Sequence, residues 1–351
     1  MTPATILCAG GGTAGSIVPL KFLLEKRRER IQGGAMDRVI WITTGSALDA
    51  RYVGSGVQHR HTIPIAKWRR YLAFTNLAVP LNFLVALVKS LFYCVRYRPH
   101  AVWTAGSFVG VPVAWAAWLL GIPVMSIQQD IVRGVANRLI EPVSSRRVLT
   151  IPPRLLAKAP LRRSYTAIGT LIDPSASYPL VEESVCDVLI LGGSIGARGL
   201  NELVWGALPL LSDNLRVIHS VGAQHHVEPP KQRPGYTAVG SIEPSRLARL
   251  LNRARLVVTR AGMNTIIQCA YYSKATIVVP LPESHQILNA RALEEEKAVV
   301  YLQQDSTTPQ DLADAILELL QHPHTAERMS QRLHALLPVA KAQDILNLIK
   351  V

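Results

Sequence analysis

Short β-branched apolar runs alternate with helical patterns along the whole chain. Thr5 to Cys8, Val39 to Thr43, Val102 to Thr104, Pro123 to Ile127, Asp187 to Leu191, Val217 to Ser220, Leu256 to Thr259 and Thr276 to Pro280 predict strands. Strands alternating with helices imply parallel sheets covered on both faces. Two strand-to-helix junctions are rich in glycine, Cys8 to Ser16 and Leu189 to Arg198, and each is expected to open its own doubly wound half. The Pro/Arg/Ser-rich stretch from Pro152 to Pro174 separates them. The expectation is therefore an α/β protein of two Rossmann-like domains, residues 1–160 and 161–325, with a ligand cleft between them. A last helix, about Ala326 to Ile349 within residues 326–351, is expected to pack back toward the first domain.

Neither long apolar stretch reads as a membrane span. Leu77 to Val88 is short and broken by Pro80 and Asn82, and Ser107 to Met125 is interrupted by Gly110, Pro112, Gly121 and Pro123. The second reads instead as a strand, loop, helix and strand in a packed core.

With 351 residues, 49% of them hydrophobic, the chain can fill about two domain cores, which excludes a disordered, collagenous or disulfide-stapled protein. Cys8, Cys94, Cys186 and Cys269 are too scattered for a close-spaced metal pair or a secreted framework, so a reduced, cytoplasmic protein is expected. The N-terminus runs directly into a strand-like segment, with no pattern of a signal peptide.

Charge changes the picture. Residues 1–165 carry 22 Lys/Arg against 6 Asp/Glu, whereas residues 166–351 carry 16 against 18, so the whole net charge of +14 belongs to the first half. No carboxylate occurs between Asp49 and Asp130. Such a half should attract polyanions: phospholipid headgroups, nucleic acid or a pyrophosphate substrate. Aromatic and apolar residues are interleaved with the cations at Lys67, Trp68, Arg69, Arg70, Tyr71 and Phe74, and apolar ones follow from Leu81 to Phe92. That mixture suits an anionic membrane surface better than a nucleic-acid groove, although a buried helix face with a solvated cationic one gives the same pattern.

Glycines at a strand end let backbone approach an anion, and the following helix N-terminus adds N–H groups and partial positive charge. Neither glycine junction is a Walker loop or a complete GxGxxG. A third junction, Arg260 to Gln268, places Met263, Asn264 and Thr265 at a helix start, with Gln268 one turn on within reach of a sugar. His285, Gln286 and Asn289 share one face of a later helix. Helix capping and a polar surface cluster are the plain alternatives. No Asp-x-Asp occurs, and the histidines form no ligand set, so neither a metal nor a cofactor is expected.

These residues together resemble the MurG-type glycosyltransferases over nearly the whole chain. The likeness rests on Gly11 to Ser16 with Pro19, Trp115 to Leu120 leading into Gly121 to Val124, and Gln129-Asp130 with Gly134 and Asn137. It continues through Gly192-Gly193-Ser194 with Gly196 to Arg198 and Asn201, then Arg260, Gly262 and Thr265, and the helix from Gln286 to Ala290. The resemblance implies a GT-B fold, with acceptor and membrane on the basic half and UDP-N-acetylglucosamine on the other. It implies inverting transfer of N-acetylglucosamine to the 4-hydroxyl of undecaprenyl-pyrophosphoryl-muramyl-pentapeptide, on the cytoplasmic face of the bacterial plasma membrane. By the same matching, Thr13, Ala14 and Gly15 approach the reaction centre, and Ser194 and Ile242 touch the nucleotide. Met263 to Thr265 meet its diphosphate, Gln268 the ribose, and Gln286 the donor sugar.

Departures from the family pattern are chemically pointed. Ser16 stands where a loop histidine is usual, and a serine hydroxyl is too weakly basic to replace it unaided. Asp130 stands where Asn is common, and a carboxylate suits a base or an orienter of the acceptor hydroxyl. Gln268 replaces a ribose-binding Glu, and Asp173 an Arg. Other readings are a UDP-N-acetylglucosamine 2-epimerase, a glycosyltransferase for another lipid, and a non-catalytic nucleotide-sugar binder.

Overall fold

The computed structural model describes residues 1–31, 36–54, 56–64, 79–156, 164–172, 185–193, 197–222 and 233–350. The chain divides into two compact units, Met1–Leu171 with Val339–Val351, and Ile172–Pro338. The junctions thus fall at Leu171 and Pro338, against expected boundaries at 160 and 325.

In the first unit β1 (Thr5–Ala9), α1 (Val18–Arg28), β2 (Arg38–Thr43), α2 (Ala47–Val53), β3 (His59–Thr62), α3 (Val79–Tyr97), β4 (Ala101–Thr104), α4 (Gly110–Leu119), β5 (Val124–Gln128), α5 (Val135–Ile140), β6 (Arg146–Leu149) and β7 (Thr166–Ala167) follow in order. The seven strands form one parallel sheet in the order β3-β2-β1-β4-β5-β6-β7. Side chains alternate across it: Ile6 and Cys8 join Ile17, Leu20 and Leu23 of the α1 side, while Leu7 and Ala9 join Val113, Ala114 and Ala117 of α4. Both faces are therefore dry, as the crossover pattern requires.

The second unit repeats the plan with β8 (Val188–Leu191), α6 (Arg198–Ala207), β9 (Val217–Ser220), β10 (Tyr236–Val239), α7 (Pro244–Arg253), β11 (Leu256–Thr259), α8 (Met263–Tyr271), β12 (Ala275–Val278), α9 (Gln286–Glu295), β13 (Val300–Tyr301), α10 (Pro309–Gln321) and α11 (Pro323–Leu336). Its parallel sheet runs β10-β9-β8-β11-β12-β13. In each sheet the order reverses beside the first strand, between β1 and β4 and between β8 and β11. Loops at these switch points leave toward opposite faces and open a crevice at the strands' carboxyl ends.

The single terminal helix expected from about 326 to 349 is two helices. α11 ends at Leu336, and Pro338, with no N–H to donate, stops it. Val339 then forms a parallel bridge with Thr170, Ala340 donates to the Thr170 carbonyl at 3.0 Å, and α12 (Ala342–Leu348) packs its Ile345 and Leu348 into the first unit's core. Arg27 fastens this return. It is 2% exposed and donates to the Asp37 carboxylate at 2.7 Å, to Ile349 O at 2.5 Å and to Thr2 O at 2.9 Å. Asp37 also accepts from Ala4 N at 2.8 Å.

Arg27→Met, which strands the Asp37 carboxylate without its cation, is expected to cost about 3–5 kcal/mol. The double variant Arg27→Met, Asp37→Leu should cost less, because no buried charge remains. Urea unfolding of both variants checks this, and equal losses would remove the ion pair as the cause.

Candidate functional site

In the first unit the loop after β1 turns through Gly10, Gly11 and Gly12 into a 3-10 turn, Ala14–Ser16, before α1. A Cβ on Gly11 would lie 2.9 Å from Asp49 Oδ2 and from Thr44 N, and Gly12 has φ +80°. The crowding comes from Asp49. This carboxylate, 1% exposed, accepts from Gly12 N at 2.7 Å, Thr44 N at 3.0 Å, Thr44 Oγ1 at 2.5 Å and Ser46 N at 3.2 Å. Burial pushes its pKa up, but the hydrogen bonds from Thr44, Gly12 and Ser46 outweigh that and hold it below the usual carboxylate range. Asp49 thereby fixes the backbone beneath Thr13, which is exposed, and Ala14 and Gly15, which are half-buried.

Ser16 faces the other way. It is 2% exposed, and its hydroxyl lies 3.1 Å from the carbonyls of both Gly11 and Thr13, so it tightens the loop's own turn. Ser107, after β4, donates to the Gly11 carbonyl at 3.1 Å and bridges the switch point. Further along the same edge, Asn137 donates to Gln128, and Gln128 donates to the Asp130 carbonyl. Asp130 is thus held, half-buried, on a braced loop after β5.

In the second unit Thr259 Oγ1 donates to Leu191 O at 3.0 Å across the corresponding switch point. Gly193 has φ +88°, and Ser194 beyond it lies outside the described residues. On the β11 side, α8 begins at Met263 behind the N-cap Gly262. Met263 is 3% exposed, so it can offer a ligand only backbone, whereas Asn264, Thr265 and Gln268 are half-buried. The Asn264 amide nitrogen is buried without a hydrogen-bond partner.

Arg260, three residues before this helix start, is 7% exposed. Its Nη1 donates to the carbonyls of Val279 and Pro280 at 2.9 and 3.2 Å, and Nε has no partner. Burial pushes it down to about 10, which leaves the guanidinium charged at neutral pH. A buried cation held against the β12 loop and a helix N-terminus after β11 thus both occur at the strands' carboxyl edge, and each favours an anion nearby.

The polar residues expected on one face of α9 separate in role. Gln286 opens the helix, accepts from Leu281 N at 3.0 Å, and has its Nε2 3.9 Å from where a Gly262 Cβ would stand. Asn289 is fully buried and donates to Ala261 O at 3.1 Å, which ties α9 to the β11 loop. His285 is the exposed N-cap residue, and Ile242 is half-buried in the loop after β10.

Lys67, Trp68, Arg69, Arg70, Tyr71, Phe74 and Asp173 lie outside the described residues. The adjoining helix α3 carries two apolar stripes. Ala86, Ser90 and Cys94 face inward, with Phe83, Leu87 and Leu91 packed against the α4 core. Leu81, Leu84, Val88, Phe92 and Val95 recur at helical spacing on the outside and are 56–63% exposed. Trp118 and Leu119 of α4 are exposed as well, and Lys89 and Arg96 punctuate the outer face.

Comparison with known proteins follows the same division. The chain matches the family model of the glycosyltransferase family 28 N-terminal domain over residues 6–148 and that of the C-terminal domain over residues 187–347. It is 31% identical, over 94% of its length and 93% of the relative's, to the UDP-N-acetylglucosamine–N-acetylmuramyl-(pentapeptide) pyrophosphoryl-undecaprenol N-acetylglucosamine transferase of Azotobacter vinelandii. Among solved structures it is similar to Acinetobacter baumannii MurG, with a TM-score of 0.74 and 23% identity, covering 99% of each chain. It is also similar to the UDP-GlcNAc 2-epimerase from Neisseria meningitidis, with a TM-score of 0.69 and 11% identity, covering 98% of each chain. The two structural likenesses show the fold, two α/β Rossmann-like lobes of the GT-B type.

Asp49→Asn replaces an acceptor with a donor facing N–H groups, and is expected to cost about 1–3 kcal/mol near neutral pH. Because the folded carboxyl titrates below its ordinary value, its contribution is present above that value and is lost as pH falls through the folded one. Thermal unfolding across acid pH should show wild type's advantage over Asp49→Asn shrinking on acidification. A constant gap would exclude the carboxylate as its source.

Proposed function

The chain belongs to glycosyltransferase family 28, and from that premise we propose that it moves N-acetylglucosamine from UDP-N-acetylglucosamine to the 4-hydroxyl of a lipid-linked muramyl-pentapeptide. The observation that carries the reading is the start of α8 at the carboxyl edge of the second sheet, with the buried Arg260 in the loop that leads to it; a helix N-terminus of this kind suits a diphosphate. The activity for which the Azotobacter vinelandii relative is named supplies the donor and acceptor. Gln268, one turn into α8, is placed to hydrogen-bond a ribose, and Gln286 beside Gly262 to meet the sugar.

Transfer with inversion needs a base for the attacking hydroxyl and charge stabilisation for departing UDP. The α8 N-terminus and Arg260 provide the second. Asp130 is proposed for the first: the Gln128–Asn137 brace holds its backbone in the first unit, and Ser16, committed to its own loop, cannot serve. Thr13, Ala14 and Gly15 are proposed to approach the acceptor, on the platform that Asp49 fixes.

The outer stripe of α3 supports peripheral attachment to an anionic membrane. Among the described residues no helix is long and apolar enough to cross a membrane, and apolar side chains among cations suit an interface. An epimerase acting on a soluble nucleotide sugar has no use for such a stripe.

Incubation with labelled UDP-N-acetylglucosamine and a short-chain lipid-linked muramyl-pentapeptide should yield labelled disaccharide with equimolar UDP. Asp130→Asn should lower kcat by about 10²–10⁴-fold with little change in donor KM, and unchanged turnover would eliminate Asp130 as base. In flotation with vesicles containing anionic lipid, the Leu84→Asp, Phe92→Asp variant should remain with the unbound protein. Equal flotation of variant and wild type would move the membrane contact elsewhere.

A further inference from the structure

His219 lies in the core of the second unit with its side chain fully buried. Its Nδ1 is 3.0 Å from the Tyr236 hydroxyl on β10, and its Nε2 is 3.1 Å from Asn201 Oδ1 on α6. The same Tyr236 hydroxyl accepts from Trp205 Nε1 at 3.0 Å, and Asn201 Nδ2 donates to the Val221 carbonyl at 3.0 Å. The two ends of this chain set its direction, since an indole N–H only donates and a peptide carbonyl only accepts. Asn201 must turn its NH₂ to Val221 and its oxygen to His219, which requires a proton on Nε2. Nδ1 then accepts from Tyr236. Four hydrogen bonds run one way, from Trp205 to Val221, and only the neutral Nε2–H imidazole satisfies them all. Burial pushes the His219 pKa down to about 4, in keeping with a ring that stays neutral.

The relay ends in the loop after β9, beside the β8 loop that borders the switch point. Val221 N donates to Val239 O at 2.9 Å, so the residue is pinned through its N–H to β10 and, through the carbonyl, to α6. Its neighbour Ser220 accepts from Gly192 N at 3.3 Å, and Gly222 turns away with φ +93°. Any Cβ on Gly192 would come within 3.2 Å of Ser220 O, so the β8 and β9 loops are in direct contact. A shift of Val221 therefore reaches, through the adjoining Ser220 carbonyl, Gly192 in the glycine loop after β8.

We propose that His219, acting through Asn201, is a positioning residue for the nucleotide of the donor: it holds the Val221 end of β9, whose adjoining Ser220 carbonyl receives the Gly192 N–H. The inference rests on the reading of the second unit as the UDP-sugar site.

The test compares His219→Leu, which keeps volume but offers no hydrogen bond, with His219→Gln, whose amide supplies both an acceptor and a donor. UDP dissociation constants by calorimetry, steady-state constants and melting temperatures are measured for each. His219→Leu, which removes both imidazole hydrogen bonds but reaches the loop only through the one to Asn201, should weaken UDP binding and raise donor KM about tenfold, with kcat and acceptor KM within about twofold of wild type. His219→Gln should recover most of the loss. A merely structural role predicts lowered melting temperatures with UDP binding unchanged, and that result would overturn the proposal. Nitrogen-15 NMR of the wild-type imidazole should show a neutral Nε2–H ring down to about pH 5, and an Nδ1–H ring or titration near the ordinary value would overturn it even where a variant fails to fold. Wild-type protein that binds no UDP would instead remove the donor reading, whichever tautomer NMR reports.

Discussion

Where the strand order of a parallel sheet reverses, two neighbouring strands send their loops to opposite faces, and the peptide groups in the gap lose their ladder partners. Buried peptide groups left unpaired are costly. Each unit closes its gap with a hydroxyl: Ser107 donates to Gly11 O in one, and Thr259 donates to Leu191 O in the other. The glycine turns, the helix starts and the proposed substrate contacts are arranged around these two closures. The crevice for chemistry and the need to satisfy backbone are thus the same feature of the fold.

The basic half of the chain illustrates how one element serves two surroundings. α3 buries one stripe against α4 and leaves an opposite stripe of Leu81, Leu84, Val88, Phe92 and Val95 in contact with solvent. Among the described residues the first stripe is the one packed in a core, and the second stands as a contiguous exposed apolar face. The ambiguity in the sequence arises because the same helix carries both a buried apolar stripe and an exposed one, on different faces.

The eight apolar runs legible in the sequence all appear as strands, since a central parallel strand advertises itself by burying both faces. β3, with the sequence His-Arg-His-Thr, and β6, beginning Arg-Arg, escape that signal; β3 is an edge strand and β6 has only the short β7 beyond it, so polar side chains are tolerated there. The glycine loops and the α8 start are readable from spacing alone. Asp49 is marked only by Ser46 three residues earlier, a capping-box spacing that says nothing of Gly12, 37 residues away. The His219 relay leaves no local trace, because its members come from α6, β9 and β10 and meet only once the sheet is assembled. The split between α11 and α12 is written in Pro338, yet apolar spacing on either side of it imitates a continuous helix.

The two units brace their loops with different electrostatics, one with a buried anion and the other with a neutral relay. In the first, a buried anion, Asp49, gathers three backbone N–H groups and a hydroxyl beneath Thr13. A carboxylate so placed beside a nucleotide diphosphate would repel it and would withdraw the N–H groups the phosphates need. The second unit braces its loop without a charge. A neutral imidazole and an amide hold Val221, and the fixed charge at the α8 start is the cation Arg260. A neutral relay also keeps its shape across ordinary pH, since neither Asn201 nor Trp205 titrates and His219 gains a proton only well into the acid range. On this argument, placing a carboxylate at position 201 should disturb UDP binding more than removing the amide altogether, because it adds repulsion to the loss of the hydrogen bond to Val221. UDP affinities of Asn201→Asp and Asn201→Ala compared at neutral pH decide the point, and equal affinities would mean that the charge of the brace is immaterial.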